Sequence, residues 1–422
     1  MGPGKEARKT PVSRFPTSSI GSSSRGGVLA VIFGVLNPAN PAWLVVLASL
    51  GLSLLGLYAI DFAQTPPGEA GSGILHSGVA LRQSVFLLVG IIAGVVVALP
   101  HYRIIGAMSG VFMAISLALL VFVLLPFVPP WLVTPRNGAR GWINLGIADL
   151  QPAELAKIAY VLVMARYLRY RDNHRTLVGL LPPAIITAVP VALITLEPDL
   201  GSALLFVPSL FAMLVAAGAK LRHLLLIVLI ATLAAPAAYT FLKPHQKARI
   251  VGLWHQMRGD TSLDQEINFQ AVTAQTLVGS GQIAGIDGEK GRAIVHYSRL
   301  PERHNDMVFA VIVSRFGFTG ALVVLGLYLV WIIGALGTAA ATRDPFGRII
   351  GVGFAGFTAT QVVINIGMNI GLVPIIGVTL PFISSGGSSL LTVWIMTGLI
   401  FSVALRRPRG VGRHSFEFGE ED

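Results

Sequence analysis

The sequence contains no cysteine and few charged residues, and each scarcity removes a class of protein. Without cysteine the chain can form neither a disulfide framework nor a thiolate metal site. Charged residues occupy only 12% of the 422 positions, whereas an average soluble domain carries about 25%. A water-soluble protein of this length is therefore excluded, and any loop outside a membrane must be held by packing and hydrogen bonds.

The sequence is rich in apolar residues. They make up 54% of the chain, and the mean hydropathy is +0.73, which is typical of an integral membrane protein. The net charge of +11 is compatible with nucleic acid, but no Lys/Arg stripe is interleaved with aromatic residues. Cationic loops that face anionic lipid explain the charge better. We therefore predict an all-α, multi-pass membrane protein that binds no nucleic acid.

The apolar runs give the number of spans and the domain boundaries. A membrane-spanning helix needs roughly 17 to 25 apolar residues. The sequence predicts about ten spans, at residues 42–62, 82–100, 103–126, 153–168, 179–196, 201–219, 222–241, 307–337, 349–372 and 388–405. Residues 1–40 are rich in Ser, Gly, Pro, Lys and Arg and predict a flexible basic tail. The membrane domain then covers 41–407, and a second tail covers 408–422.

The cations in the short connections predict the orientation, because cytoplasmic loops carry an excess of Lys and Arg. If the basic N-terminal tail is cytoplasmic, the even-numbered connections are cytoplasmic as well. Their cations include Arg103, Arg169, Lys220, Arg343 and Arg406. We expect both tails to lie in the cytoplasm of a bacterium, with the protein in its cytoplasmic membrane.

One connection, residues 243–306, is long and polar, unlike the rest of the chain. It lies between the seventh and eighth predicted spans, on the outer side of the membrane in this orientation. A loop of this length is usually functional or disordered. Apolar residues such as Phe269, Val272 and Leu277 inside it favour an ordered loop.

The segment NGARGWINLGIADLQPAELAKI (137–158) places polar groups where the fourth span begins. Arg136, Arg140 and Trp142 lie on its outer side. Glu154 and Lys157 are three residues apart, so both face one side of a helix and can form an ion pair. The pair could simply cap the helix at the membrane boundary. Ionisable groups inside spans are often functional, so both interpretations stay open.

Two further polar segments border predicted spans. In EPDLGSALL (197–205), Asp199 can cap the helix that follows, whereas Glu197 is the better candidate for a cation or a polar headgroup. In NIGMNIGLVPIIGVTLPFISSGGSS (365–389), Gly-Gly lets backbone N–H groups approach an anion where a helix starts. The residues concerned are Ser384, Gly386, Gly387 and Ser388. Ordinary capping and small-residue packing of the last span is the simpler alternative.

The long loop offers several carboxylates that could act as a general base. Asp260, Asp264, Glu266 and Asp306 are all candidates, and a solvated loop surface is the alternative for each. His304, two residues before Asp306, more plausibly makes a hydrogen bond at the junction between loop and span than binds a metal. The spacing of a strong metal site is not present in the sequence.

Taken together, these segments resemble the SEDS family (shape, elongation, division and sporulation proteins), the membrane-embedded peptidoglycan glycosyltransferases that include RodA and FtsW. The resemblance runs over residues 42–407 in family order and includes KPHQKARI (243–250) and LPERHNDMVFA (300–310). It implies a ten-helix membrane fold, polymerisation of lipid II outside the cytoplasmic membrane, and a catalytic Asp in the long outer loop. It also implies that Gln246 and Arg249 contribute to substrate binding.

The chain departs from the family pattern at the catalytic position. Counting back from VGSG (278–281), the family's aromatic residue falls on Phe269 and its catalytic Asp on Leu263. Asp264 lies one residue away and Asp260 three, so we place Asp264 first and Asp260 second. The usual Tyr of the Gly-Gly segment is Ser385, and the usual Thr after the His is Asn305.

The resemblance thus implies an inverting glycosyltransferase that serves cell-wall elongation and cell shape, the RodA type being favoured by KPHQKARI. A division enzyme of the FtsW type, a transporter or flippase of lipid-linked precursors, and an inactive scaffold are the alternatives. Help for the leaving group would come from Arg136, Arg140, Lys157 or a divalent cation such as Mg²⁺ or Mn²⁺. No organic cofactor is expected. The expected partners are lipid II, a class B penicillin-binding protein and other membrane proteins of the elongation complex.

Overall fold

The computed structural model describes residues 40–69, 75–133, 135, 139–146, 148–171, 173–240, 244–260, 262 and 268–406. Nearly all of its secondary structure is helical. The first helices are α1 (Ala42–Gln64), α2 (Gly78–Ala98), α3 (Tyr102–Ala107), α4 (Ser109–Leu124), α5 (Pro152–Arg169), α6 (Leu181–Leu196), α7 (Leu200–Leu204), α8 (Phe206–Ala216) and α9 (Leu221–Tyr239). The later ones are α10 (Pro244–Met257), α11 (Phe269–Ser280), α12 (Gly288–Tyr297), α13 (Val308–Ala340), α14 (Pro345–Asn369) and α15 (Gly387–Leu405). Two short 3₁₀ turns, Asn173–Arg175 and Val178–Leu180, precede α6.

The predicted spans all coincide with helices. Within the described residues, six helical stretches are long and apolar enough to cross a membrane: 42–64, 78–98, 178–196, 308–340, 345–369 and 387–405. The other predicted spans fall on shorter or more polar helices, which are α3 with α4, α5, α7 with α8, and α9. Outward residues such as Leu88 (60% exposed) and Leu233 (72% exposed) suit a surface covered by lipid. The all-α membrane fold is confirmed.

Aromatic packing joins three helices in the centre of the bundle. Tyr160 on α5, Phe206 on α8 and Phe357 on α14 are fully buried. Their ring centroids lie 5.1 to 6.0 Å apart in edge-to-face arrangements, the geometry that aromatic pairs prefer. Small residues bring α2 and α15 close together, since a Cβ on Gly398 would lie 2.2 Å from the carbonyl oxygen of Gly94. Close approach of this kind is how membrane helices gain packing energy.

The only strands in the described residues are β1 (Ile143–Asn144) and β2 (Asp149–Leu150), which pair antiparallel. Ile143 lies opposite Leu150, and Asn144 lies opposite Asp149. The hairpin ends one residue before α5 and so fixes where that helix begins.

The long loop between α9 and α13 is ordered in its described part, where it forms α10, α11 and α12. The connection between α11 and α12 is held against a break inside α13 by backbone hydrogen bonds. The N–H of Ile286 donates to the carbonyl of Ser314 (3.0 Å), and that of Phe318 donates to the carbonyl of Gln282 (2.8 Å). Gly317 makes the break, with a φ of 66° inside α13. The expectation of an ordered loop is confirmed there.

Gly285 at this contact is expected to be intolerant of a side chain. Its φ is +84°, and a Cβ there would lie 2.2 Å from the carbonyl oxygen of Arg315. The left-handed backbone alone costs a non-glycine residue roughly 1 to 2 kcal/mol. We predict that Gly285→Ala lowers the thermal unfolding temperature of the purified protein. Gly279→Ala is the control, because Gly279 is helical with nothing within 4 Å of its Cβ position, so it should leave stability equal or higher.

Candidate active site

Three helix starts meet at the end of the bundle that carries the long loop. Gln151 immediately precedes α5, Asp199 immediately precedes α7, and Ser388 lies in the first turn of α15. The N–H of Gln151 donates to the Ser388 hydroxyl (3.1 Å), and its side-chain amide donates to Asp199 (3.2 Å). The Ser388 hydroxyl in turn donates to the carbonyl of Asp149 (2.6 Å). The polar side chains near these helix starts therefore share one site.

Glu154 and Lys157 form an ion pair in the first turns of α5. The Lys157 Nζ lies 2.7 Å from Glu154 Oε1, as the spacing of three residues predicts. Both residues are buried, with 4% of Glu154 and 1% of Lys157 exposed. The lysine therefore does not snorkel to the membrane boundary, and its ammonium is enclosed by protein. Removing either partner would leave an uncompensated buried charge.

Asp199 caps α7, as predicted, and adds a carboxylate near the ion pair of Glu154 and Lys157. Its Oδ1 accepts the N–H of Ser202 at 2.9 Å. Burial raises the pKa of Asp199, while the hydrogen bonds from Ser202 and the charge of Lys157 oppose that shift. Lys157 and Asp199 thus interact electrostatically, although they lie on different helices.

Glu197 lies two residues before Asp199 and is almost completely buried, with 1% exposed. In the part of the chain that the structure describes, neither of its carboxyl oxygens has a hydrogen-bond partner. Burial, helped by the nearby Asp199 charge, raises the pKa of Glu197 to about 8. The side chain is therefore mainly an uncharged carboxylic acid at neutral pH, which makes it a proton donor.

Asp306 is held at the junction of the long loop and α13. Its backbone carbonyl accepts hydrogen bonds from the side-chain amides of Asn365 (2.8 Å) and Asn369 (3.1 Å), one turn apart on α14. The carboxylate is partly buried. Burial is the main cause that raises the pKa of Asp306 to about 7, the charges of Glu302 and Asp199 act in the same direction, and the charge of Arg249 opposes them. A carboxylate with this pKa can both take and release a proton near neutral pH.

We refer to Glu154, Lys157, Glu197, Asp199 and Asp306 as the charged cluster. The segment 371–386 closes one side of it. A Cβ on Gly201 would lie 2.6 Å from the carbonyl oxygen of Ile376, and one on Gly377 would lie 3.6 Å from Asp306 Oδ2. Gly201 therefore lets this segment pack closely against the start of α7, and at Gly377 the segment comes near Asp306.

The long loop contributes separate groups from α10. Arg249 is exposed and acts electrostatically on Asp306, so α10 faces the charged cluster. Asp260 follows α10 and is exposed, with its Oδ2 2.6 Å from Nδ1 of His255. The backbone N–H of Ser262, followed by the His255 side chain, lowers the pKa of Asp260 to about 2. Asp260 is thus always ionised near neutral pH and has little affinity for a proton.

The divalent cation stays a prediction. Among the described residues, no three His, Asp or Glu side chains are grouped so that they could hold a metal ion. The charged cluster instead carries its own cation, Lys157, which contacts Glu154 directly.

A family model described as "cell cycle protein", covering the FtsW, RodA and SpoVE proteins, matches residues 42–408. The chain belongs to the FtsW/RodA/SpoVE family. Its relatives include a probable peptidoglycan glycosyltransferase FtsW of Nitrosococcus halophilus, 31% identical over 86% of this chain and 90% of that protein. Another is the peptidoglycan glycosyltransferase RodA of Treponema pallidum, 27% identical over 86% of this chain and 98% of that protein.

A solved structure has the same fold. It is described as "Structural coordination of polymerization and crosslinking by a peptidoglycan synthase complex", and its matching chain is 30% identical, with a TM-score of 0.71. The match covers 86% of this chain and 97% of that one. The resemblance to the SEDS family is thus confirmed, and this family member is a multi-pass membrane protein of a family of peptidoglycan glycosyltransferases.

The structure brings together some of the predicted site residues of this family member and separates others. Glu154, Lys157, Glu197 and Asp306 belong to the charged cluster, and Arg249 faces it. Asp264 and Arg136 lie outside the described residues. Arg140 donates to the carbonyl of Val128 (3.2 Å), while Trp142 and Gln246 are partly buried.

The Gly-Gly segment has a structural role that the anion-site hypothesis did not include. The N–H of Gly386 donates to the side chain of Gln83 (3.2 Å). The hydroxyl of Ser384 donates to the carbonyl of Asn305 (2.7 Å), and Gly387 packs against Phe86, whose ring would lie 2.9 Å from an added Cβ. These contacts fix α15 against α2 and the loop junction. A role in anion binding stays a prediction.

His304 makes the hydrogen bond expected at the junction, because its Nδ1 lies 2.8 Å from the side-chain amide of Gln64 at the end of α1. Sequence reasoning assigned no role to Gln151 or Glu302. Gln151 could have been noticed in the sequence, because it is a polar residue directly before the proline that starts α5. Glu302 lies inside the LPERHND segment, but its effect on Asp306 depends on the folded turn.

Replacing Glu197 should change how stability depends on pH. The folded-state pKa of about 8 lies above the ordinary value of 4.5, so the wild type loses stability as pH rises from about 4.5 through 8. Glu197→Gln keeps the size and stays neutral. We expect the unfolding temperature of the variant to exceed that of the wild type by a margin that widens from pH 5 to pH 8. Parallel pH dependence of the two proteins would show that Glu197 is not buried as an acid.

Proposed function

We propose that this protein polymerises lipid II into glycan strands, as a peptidoglycan glycosyltransferase of the elongation (RodA) type. The observation that carries the proposal is the charged cluster beneath the long loop, where Lys157, Asp199 and Asp306 interact electrostatically. The names of the relatives, which include peptidoglycan glycosyltransferases of both the RodA and the FtsW type, support the activity. The sequence of the KPHQKARI segment (243–250) favours the elongation type over the division type.

The proposed reaction is a single displacement at a sugar carbon. The 4-hydroxyl of the GlcNAc in an acceptor lipid II attacks C1 of the MurNAc at the end of the growing chain. The C–O bond to undecaprenyl pyrophosphate breaks, and a carboxylate of the enzyme takes the hydroxyl proton. The α-linked pyrophosphate becomes a β-1,4 bond, which requires one general base and stabilisation of the leaving group but no enzyme nucleophile.

We propose Asp264 as the general base, because it lies one residue from the family's catalytic position. Among the other carboxylates, the direction of the pKa shifts favours Asp306 over Asp260. A pKa of about 7 suits a base that works at neutral pH, whereas a pKa of about 2 makes proton abstraction inefficient. The charge of Arg249 acts on Asp306. This supports a site in which α10 and the junction between the long loop and α13 face the same substrate.

Lys157 is proposed to act through the field of its charge rather than by contact. Its ammonium is buried and bonded to Glu154, so it does not meet a substrate in this conformation. Its charge does reach Asp199, and a fixed charge in a site shielded from water has a larger effect than it would have in solution. We propose that Arg136, Arg140 or a divalent cation contacts the pyrophosphate directly.

The location of the charges favours an enzyme over a transporter. A transporter places its ionisable groups near the middle of the bilayer, whereas Glu154 and Lys157 lie in the first two turns of α5, and Asp199 and Asp306 precede helices. We propose that this end of the bundle faces outward, with both termini in the cytoplasm of a bacterial cell. A class B penicillin-binding protein is the proposed partner, because the related complex couples polymerisation to crosslinking.

We predict that Asp264→Asn abolishes polymerisation of lipid II by the purified protein, a loss of about 10² to 10⁴ in rate, because Asn keeps the size of Asp and removes its basicity. Asp260→Asn and Asp306→Asn are the matched variants, each checked for membrane insertion and for binding of the transpeptidase. If only Asp306→Asn were inactive, the base would be Asp306. If all three stayed active, the proposed reaction would lack its base.

The pH profile of wild-type activity separates Asp306 from Asp260 without a mutation. If Asp306 is the base, wild-type activity falls by about tenfold from pH 8 to pH 6, because the carboxylate becomes protonated below its pKa of about 7. If Asp260 is the base, its ionisation does not change the activity between pH 6 and pH 8, since its pKa is about 2.

A double variant tests Lys157 apart from the stability of its ion pair. Lys157→Met alone leaves Glu154 charged and buried, so both the unfolding temperature and the activity should fall. Glu154→Gln combined with Lys157→Met removes both charges and should restore the unfolding temperature while polymerisation stays at least about tenfold below wild type. Recovery of activity together with stability would assign the pair a purely structural role.

A further inference from the structure

A polar cavity lies at the end of the bundle opposite the charged cluster. Its volume is about 480 Å³, and it is lined by His101, Tyr102, Arg103, Arg169, Thr342, Arg343, Asp344, Pro345 and Arg406. α5 begins beside the charged cluster and ends at Arg169; it has 18 residues, a length of about 27 Å. α13 likewise begins beside Asp306 and ends just before Thr342. The two sites are therefore separate.

Four chain segments bring arginines to this cavity. Arg103 starts α3, Arg169 ends α5, Arg343 lies between α13 and α14, and Arg406 follows α15. Among the lining residues Asp344 is the only carboxylate, so four arginines and one aspartate leave a net charge of +3. Burial and the neighbouring charges of Arg406 and Arg103 lower the pKa of His101, which keeps it neutral and leaves that sum unchanged at pH 7.

Three of the four arginines are held in place by contacts within the protein, and these contacts leave an excess of positive charge. Asp344 Oδ2 accepts from Arg103 Nε (2.9 Å) and from the Tyr102 hydroxyl (2.9 Å), and its Oδ1 lies 3.6 Å from Arg169 Nε. One guanidinium nitrogen of Arg406 donates to the carbonyl of Ala98 and to the Ser402 hydroxyl, at 3.1 and 2.8 Å. Asp344 offsets one charge and fixes two guanidinium groups through their Nε atoms.

The orientation rule alone does not explain this arrangement. Exposed Lys and Arg spread over the loops satisfy that rule, whereas here cations from distant parts of the sequence converge on one concave space despite their mutual repulsion. Arg343 is exposed at the rim, and half of the Arg103 side chain (52%) is exposed. The convergence is stabilised if an anion occupies the cavity.

We propose that this cavity is a binding site for a phosphate group. The planar guanidinium group presents paired N–H donors that match phosphate oxygens, and Arg is the usual residue where bidentate recognition of phosphate is needed. A cavity of about 480 Å³ holds a phosphate with its glycerol attachment and leaves no room for a whole lipid. The phosphate source is either the headgroup of an anionic lipid, whose acyl chains would lie along the bundle, or a soluble phosphate.

The test uses the full chain in an uncharged detergent and isothermal titration calorimetry. The probes are dihexanoyl phosphatidylglycerol, dihexanoyl phosphatidylcholine as the zwitterionic control, and inorganic phosphate. Arg343→Gln removes one cavity arginine that is not bonded to Asp344. Arg222→Gln is the matched control, because Arg222 is exposed at the start of α9, at the same end of the bundle, and does not line the cavity.

We expect the wild type and Arg222→Gln to bind phosphatidylglycerol with affinities within about twofold of each other, and Arg343→Gln to bind about tenfold more weakly, as expected for one charge-assisted contact. Tighter binding of phosphatidylglycerol than of phosphate assigns the site to a lipid headgroup. Equal binding of the two assigns it to a soluble phosphate.

Two results would overturn the proposal. The first is no binding of either anionic probe by the full chain. The second is an equal loss of binding in both arginine variants, which would indicate non-specific attraction.

Discussion

The hydrogen bonds from Asn365 and Asn369 to the carbonyl of Asp306 are the constraint on which the site depends. They fix the residue at which the long loop becomes α13, and Asn369 also accepts the N–H of Ala310 (3.2 Å), so both sides of the junction are held by α14. A backbone carbonyl buried among helices must find a donor. Here two side chains supply donors and thereby hold Asp306 at a position where the charge of Asp199 acts on its carboxylate.

The charged cluster carries a cost in stability that a structural role alone would not require. Glu197 has no hydrogen-bond partner among the described residues, and Lys157 is a fully buried cation. Burial of polar groups is unfavourable even when they are paired. Perturbed titration of several carboxylates in one place is typical of active sites. The cost is offset by apolar packing deeper in the bundle, where Tyr160, Phe206 and Phe357 interlock.

Much of the fold could be predicted from the sequence, because a span is a local property of hydropathy. The ion pair of Glu154 with Lys157 and the cap at Asp199 were also predictable, since each depends on spacing along one helix. The burial of Lys157 was not, because it depends on how neighbouring helices cover α5. The electrostatic interaction of Asp306 with Asp199 joins residues more than 100 positions apart, and no pattern along the chain encodes it. The departure from the family spacing at Leu263 leaves Asp264 a prediction.

Polymerisation of lipid II by the purified full-length protein, alone and with a class B penicillin-binding protein, tests the central claim most directly. We predict glycan strands in the complex, with release of undecaprenyl pyrophosphate and without ATP. It would be contradicted if no strands formed in either case while the protein moved lipid II across the bilayer of sealed vesicles. The charged cluster would then belong to a transport pathway.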